Sequence, residues 1–318
     1  MKKVAIVVGH RAWQLLPVIV LATFVVFALL HLVPGDPALV IAGDYASEER
    51  LAEIRKQYGF DRPLLVQYGA WLLQVIQGDL GRSLLSSQPV LDMILHRLPN
   101  TLVIATYALV LAAVIGIPLG VHAATRSGTR VDAFVTSVAS LGVALPSFWL
   151  AMLLILHLSL TAGWFPTTGA VPFTTSPRLS LYYATLPAIA LAVGVIAELA
   201  RQVRSALLEV LNSQYIRTLR AKGLGPVAIL WKHGLRNISV TLLTLLGLQV
   251  NRLLSGAVVI EAVFAVPGVG TLVSYSAINK DFPVVQGVVL ILVTMVILVN
   301  LIVDILSALF DPRVAEAT

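Results

Sequence analysis

The feature that most constrains this chain is its series of long, mostly apolar runs, set apart by short charged or turn-rich links. They lie near residues 12–33, 100–121, 133–158, 182–203, 238–260 and 284–306. An apolar helix of about 20 residues crosses the ~30 Å hydrocarbon layer of a bilayer. Inside that layer a helix satisfies every backbone N–H and C=O within the segment itself. Composition agrees: 58% of the residues are hydrophobic and 12% are charged, against about 25% charged in soluble domains. The fold class expected is therefore an all-α polytopic membrane protein with six transmembrane helices.

The charge balance, 22 Lys+Arg against 16 Asp+Glu, reads as positive-inside bias rather than as nucleic-acid binding. With no cysteine, disulfides and thiolate-bound metals are excluded. Lys2, Lys3 and Arg11 ahead of the first run resemble a secretory signal. The run is long enough to span, and the ProGlyAspPro that follows lacks a clear cleavage site, so a retained first helix is expected.

Residues 34–98 are too polar to span. Residues 48–58 read as a short soluble helix, with Glu48 and Glu49 in the first turn, Leu51, Ile54 and Tyr58 on one face, and Gly59 to end it. A second helix is expected from Pro63 to Ile76, with Trp71 as an interface anchor. The third apolar run contains Pro146, which neighbouring helices can accommodate within one span. Residues 159–181 form a loop.

Orientation follows from Lys and Arg in the short loops. Lys2, Lys3, Arg11, Arg126, Arg130, Arg201, Arg204, Arg217, Arg220, Lys222, Lys232, Arg236 and Arg313 fall on one side, and only Arg178 and Lys280 on the other. By the positive-inside rule both termini are cytoplasmic and residues 34–98 lie outside. The chain then divides into a cytoplasmic N-terminus with transmembrane helix one (1–33), an extracytoplasmic helical subdomain (34–98), a five-helix core (99–310) and a cytoplasmic tail (311–318).

A basic insert, residues 204–237, interrupts the core with more helix punctuation than a link requires. Ser213 is placed to cap a helix over 214–222. Gly223 suits the left-handed position after it, with Leu224 as the apolar residue beyond. Gly225-Pro226 opens a second helix and Gly234 ends it. Tyr215 and Leu219 share a face, Ile216 lies beside them, and Arg217 and Arg220 fall elsewhere. Such a helix can enter a groove on a soluble partner. A basic loop resting on anionic lipid headgroups is the alternative.

The run YIRTLRAKGL (215–224), followed by HGLRN (233–237), resembles the cytoplasmic loop signature of ABC importer permeases, in the dipeptide/oligopeptide/nickel branch. Further matches run in order: VPGDP (33–37), GDLGRS (78–83), RLPNT (97–101), PSFWL (146–150), GWFP (163–166), EAVFAVPGVG (261–270), NLIVD (300–304) and DPR (311–313). The chain departs from the general signature at Arg217, Thr218 and Leu219, which stand where Glu-Ala-Ala opens it, and at Thr241, where the branch often has proline.

The resemblance implies a type I ABC importer permease fold, with the 34–98 subdomain as a small insertion between helices one and two. It implies that Tyr215, Ile216, Arg217, Thr218, Leu219, Arg220, Ala221, Lys222 and Gly223 form a coupling helix seated in a cytoplasmic ATPase. The partners it implies are a second homologous permease, two cytoplasmic ABC ATPases and an extracytoplasmic substrate-binding protein. The setting is the lipid bilayer of a bacterial or archaeal cytoplasmic membrane, with no nucleic acid. Transport would proceed by alternating access, with di- or oligopeptides as the first substrate class. Nickel chelates, glutathione-like compounds, opines and sugars are the other classes open.

No Gly-x4-Gly-Lys-[Ser/Thr] phosphate loop occurs in the chain. It is expected to be no enzyme: there are no catalytic residues and no cofactor of its own, and ATP and Mg belong to partner ATPases. A self-sufficient secondary transporter or channel is the alternative. It calls for mid-membrane ionisable residues and an inverted repeat, and no repeat is visible. A membrane-embedded enzyme calls for clustered catalytic groups, which the sequence lacks. The six histidines, His10, His31, His96, His122, His157 and His233, show no metal-ligand spacing.

Three residues are candidates for the pathway: Asn251, Arg252 and Glu261. An Arg in the middle of a span faces protein or water, or snorkels outward. Depth argues against a pair between Arg252 and Asp304, and Glu198 with Arg201 reads as a local i,i+3 ion pair. Glu261, at the outer mouth of helix five, either gates or is simply solvated. Asn300 and Asp304 are expected to pack or cap near the inner end of helix six.

Overall fold

The structure is a computed structural model that describes residues 17–29, 36–43 and 45–310. Among these residues, four helices are long and apolar enough to cross a membrane: α5 (Val90–Thr125), α8 (Pro177–Leu211), α12 (Ser239–Val263) and α14 (Phe282–Phe310). A fifth span is obtained if a bent pair, α6 (Arg130–Ala144) and Ser147–Thr161, is one crossing. The first apolar run is described as α1, Pro17–Leu29. The rest of that run, and the tail with Arg313, lie outside the described residues.

Helices α5 and α8 form the centre. At ~1.5 Å rise per residue, α5 with its 36 residues is ~54 Å long, well beyond the bilayer core. Hydropathy marks only its apolar middle, which is why the sequence suggests a start near residue 100. The helix begins ten residues earlier, at Val90, and carries Pro99 within it. Val90 and Ile94 on that extension are fully buried against Leu80, Val284 and Val288. This packing offsets the backbone hydrogen bond that proline removes.

Small residues let α5 and α8 approach closely. A Cβ on Gly120 would lie 2.5 Å from the Ala200 carbonyl oxygen, so a side chain there would force the helices apart. Ala108, Ala112, Ala188 and Ala192 are buried along the same seam. In lipid, where apolar surface gains nothing by leaving the solvent, such close packing holds helices together.

The expectation of one continuous third span is corrected. The chain breaks at Leu145-Pro146, and the two halves meet at 94°. Proline disfavours the helical conformation for the residue before it, and Leu145 is extended at φ −76°, ψ 124°. The second half, α7 (Ser147–Leu154), runs on as a π-helix, Ile155–Thr161. The loop that follows is tied back: Tyr182 Oη donates to the Trp164 carbonyl at 2.7 Å, and the Gly169 N–H donates to that of Phe264 at 2.9 Å.

Between α1 and α5 lie α2 (Pro37–Ala42), α3 (Glu48–Tyr58) and α4 (Leu64–Ile76). Ser47 caps α3 and Gly59 follows it at φ +73°, as the sequence suggests. Trp71 is not an interface anchor: it is buried, with its ring 6.3 Å from that of Phe27 on α1. The turn after α4 is held to the start of α14, where Asp281 accepts from Ser83 Oγ at 2.5 Å and from the Leu84 N–H at 3.0 Å.

Candidate functional sites and family

The basic insert leaves the end of α8 as α9 (Gln214–Ala221). The Ser213 side chain accepts from the Ile216 N–H at 3.4 Å. Gly223 sits at φ +82°. Its N–H donates to the Arg220 carbonyl at 2.9 Å, and the Leu224 N–H donates to that of Leu219 at 3.2 Å. These are the paired bonds of a Schellman ending.

Burial divides the nine candidate residues of the insert. Ile216 is fully buried, so it anchors α9 to the protein and is no contact for a partner. Leu219 is half-buried, while Arg217, Thr218, Arg220, Ala221, Lys222 and Gly223 are exposed. Tyr215 is exposed on its flank, and its hydroxyl meets His233 Nδ1 at 2.6 Å. That contact clamps α9 to the second half of the insert.

The second half runs as α10 (Pro226–Ala228), a π-turn Ile229–Gly234 and α11 (Leu235–Asn237). The expectation that Gly234 ends a helix is corrected. Gly234 is buried, with space for a Cβ closed by Leu207 Cδ1 of α8 at 3.1 Å, and the helical path continues to Asn237. Val227 and Trp231 are exposed here. Sequence reasoning passed over both, although a Trp in a basic polar stretch is itself a signal for an interface.

At the start of the insert, Arg204 of α8 closes on Asp132 of α6 with Nε at 2.5 Å and Nη2 at 2.7 Å. Asp132 also accepts from the Gly128 N–H at 2.9 Å. The forked, planar guanidinium fits a carboxylate in two parallel bonds. The pair fastens α8 to the first half of the broken span.

Within the membrane, Arg252 of α12 forms an ion pair with Glu198 of α8. The expected local pairing of Glu198 with Arg201 is corrected. Arg201 is exposed, and Glu198 is met instead by Arg252 and by Gln202 Nε2 at 3.3 Å. Helix spacing alone favours i,i+3 partners; only the packing of α8 against α12 brings a residue 54 positions away within reach. Arg252 is 13 residues from Ser239 and 11 from Val263, so it lies near mid-helix. Asn251 is half-buried, and neither its Oδ1 nor Oε1 of the buried Gln249 has a hydrogen-bond partner.

Glu261 is fully buried and is neither solvated nor open to a channel. It accepts from Thr101 Oγ1 at 2.5 Å, the Gly270 N–H at 2.7 Å and the Thr271 N–H at 3.1 Å. Those N–H groups open α13 (Val269–Ile278), a helix the apolar pattern did not reveal. The carboxylate meets the positive end of the helix and fastens α12 to α13 and α5. Structurally it is a clasp.

Comparison with known proteins places this architecture. Residues 116–316 match the family described as "Binding-protein-dependent transport system inner membrane component". Residues 6–105 match the N-terminal part of such components. The chain belongs to this family. It is a permease subunit, the membrane-spanning part of such an importer.

A putative peptide transport system permease protein of Brucella abortus is 45% identical over 96% of this permease and 97% of its own length. The oligopeptide transport system permease protein AppB of Bacillus subtilis is 38% identical over 96% and 98%. The glutathione transport system permease protein GsiC of Salmonella paratyphi A is 38% identical over 96% and 97%. Among solved structures, an inward-facing form of the MetNI methionine ABC transporter matches with a TM-score of 0.59 at 23% identity. That match covers 71% of this permease and 99% of the solved chain. The likeness shows a shared fold, with a part of the present chain outside it.

Proposed function

We propose that this permease carries di- or oligopeptides inward across a bacterial or archaeal cytoplasmic membrane, driven by ATP that two partner ATPases hydrolyse with Mg. Six spans cross the bilayer: α1, α5, the bent pair, α8, α12 and α14. Both termini and the 204–237 insert face the cytoplasm, where thirteen basic residues of the short loops gather. Residues 34–98 form a helical subdomain outside, a landing surface for a substrate-binding protein. A second, homologous permease completes the pathway, which opens alternately to either side. The peptide-transport permeases among the relatives support the substrate class.

The observation that carries this reading is the construction of α9. Its buried Ile216, Ser213 cap and Tyr215–His233 contact hold it against the second half of the insert, while Arg217, Thr218, Arg220 and Lys222 are left exposed. A loop resting on lipid headgroups needs no such anchoring. A lever does, because force applied at α9 reaches the membrane only if α9 does not swing freely. The fold shared with MetNI supports the same architecture.

The test is uptake of a radiolabelled tripeptide into proteoliposomes holding both permeases, with binding protein supplied on the outer face and ATP within. Uptake is expected only when the ATPases are co-reconstituted. Concentrative uptake without them, driven by an ion gradient, would show a self-sufficient transporter instead.

A further inference from the structure

The Arg252–Glu198 pair lies beside a cavity of about 150 Å³ whose wall includes Leu145, Ser147, Leu150, Gly194, Arg252 and Gly256. Its position is unusual in three respects. It lies at the elbow where the bent span breaks, at Leu145-Pro146. Glycines of α8 and α12, Gly194 and Gly256, form part of its wall. And its charged wall is an arginine near mid-membrane that is half-exposed, with 50% of its side chain accessible, although it has a partner.

An arginine at this depth carries a large desolvation cost unless it meets water, protein or an anion. Glu198 neutralises the charge but leaves part of the guanidinium open. The guanidinium carries five N–H donors, and the contact with Glu198 is made from Nη1. Arg252 itself forms part of the cavity wall. We infer that Arg252 is a specificity-determining residue whose cavity receives the carboxylate of a translocating substrate, for a peptide its C-terminal carboxylate. This rests on the reading of the chain as a peptide permease.

The surroundings suit that ligand. A cavity of about 150 Å³ takes a guest of benzene size, enough for a terminal carboxylate and the atoms next to it. The first N–H groups of α7, from Ser147 onward, have no side-chain cap, and they add positive potential at the same wall. Broken helices whose ends meet substrate at mid-membrane are a recurring way to bind an ion without stranding it in lipid. Gln202, one turn further along α8, bonds Glu198 through its amide nitrogen at 3.3 Å. Glu198 then acts as the resident counter-ion, holding Arg252 between substrates and yielding it as a substrate carboxylate arrives.

The experiment compares ATP-driven uptake of a tripeptide and its C-terminal amide by the complete reconstituted transporter, with one binding protein at saturation throughout. Discrimination by the binding protein then cancels when variant and wild type are compared. If the wild type takes up neither peptide, it is the peptide-permease reading that fails, and that result is distinct from those below. With uptake established, Arg252→Gln is expected to lower transport of the free peptide about 10-fold or more relative to the amide, and Arg252→Lys to retain most of the preference. Glu198→Gln, which leaves Arg252 without its internal competitor, is expected to strengthen the preference for the free carboxylate. Equal loss for both peptides in Arg252→Gln, as expected of an arginine that only packs against the second permease, overturns the inference. So does a Glu198→Gln variant with an unchanged ratio.

Discussion

Asp132 and Arg204 join the first half of the broken span to α8 at the start of the basic insert, through paired hydrogen bonds of 2.5 and 2.7 Å. Asp132 is buried and Arg204 half-buried, so loss of either leaves a charge poorly solvated. Arg204→Ala and Asp132→Ala are each expected to destabilise the permease by about 1–3 kcal/mol. The double variant is expected to lose less than the two added together, because it leaves no orphaned charge. Thermal unfolding in detergent measures this. Strict additivity would remove the case that the pair links α6 to α8.

The Schellman ending of α9 depends on Gly223 at φ +82°. Valine there costs at least about 1–2 kcal/mol in backbone strain, and relief of that strain reorients α9. Gly223→Val is expected to leave membrane insertion intact and to separate ATP hydrolysis from peptide uptake. The comparison is ATPase rate against transport rate in one proteoliposome preparation. A normal ratio in this variant would count against α9 as the coupling element.

Tyr215→Phe removes the hydroxyl that meets His233 Nδ1 and keeps the ring. Loss of one such bond is expected to cost about 0.5–1.5 kcal/mol, too little to unfold the chain. Hydrogen exchange of α9 amides is expected to quicken, with exchange in α5 unchanged. Unaltered protection of α9 would mean that Ile216 alone holds it.

The clasp at Glu261 gives a graded expectation. Glu261→Ala strands three buried donors, at about 1–3 kcal/mol each, and is expected to lower the yield of folded permease sharply. Glu261→Gln keeps one acceptor oxygen and is expected to be milder. If both variants fold and melt like the wild type, the carboxylate does not hold α13 in place.

Releasing Asp281 from Ser83 and the Leu84 N–H frees the 78–89 turn from the start of α14. Asp281→Ala is expected to speed proteolysis within that turn while the α5–α8 seam stays protected. Unchanged cleavage would show that Leu80, packed in its own apolar cluster, is sufficient.

What the sequence determined by itself is local or statistical. Apolar runs marked the spans because hydrocarbon admits only helices at that length. Ser213, Gly223, Ser47 and Gly59 marked helix ends because capping is chemistry among neighbours in the chain. Resemblance along the whole chain disclosed the family. Tertiary structure decided the rest. Helices α5 and α8 extend past their apolar cores because packing outside the hydrocarbon continues them. Pro146 breaks its span outright, because Leu145 before it is held extended. Ile216 became an anchor rather than a contact because it is buried in the fold. Glu198 found Arg252 instead of Arg201, and Glu261 found Gly270, Thr271 and Thr101, because a buried or mid-membrane charge settles on the partner that packing brings within reach, however distant in sequence.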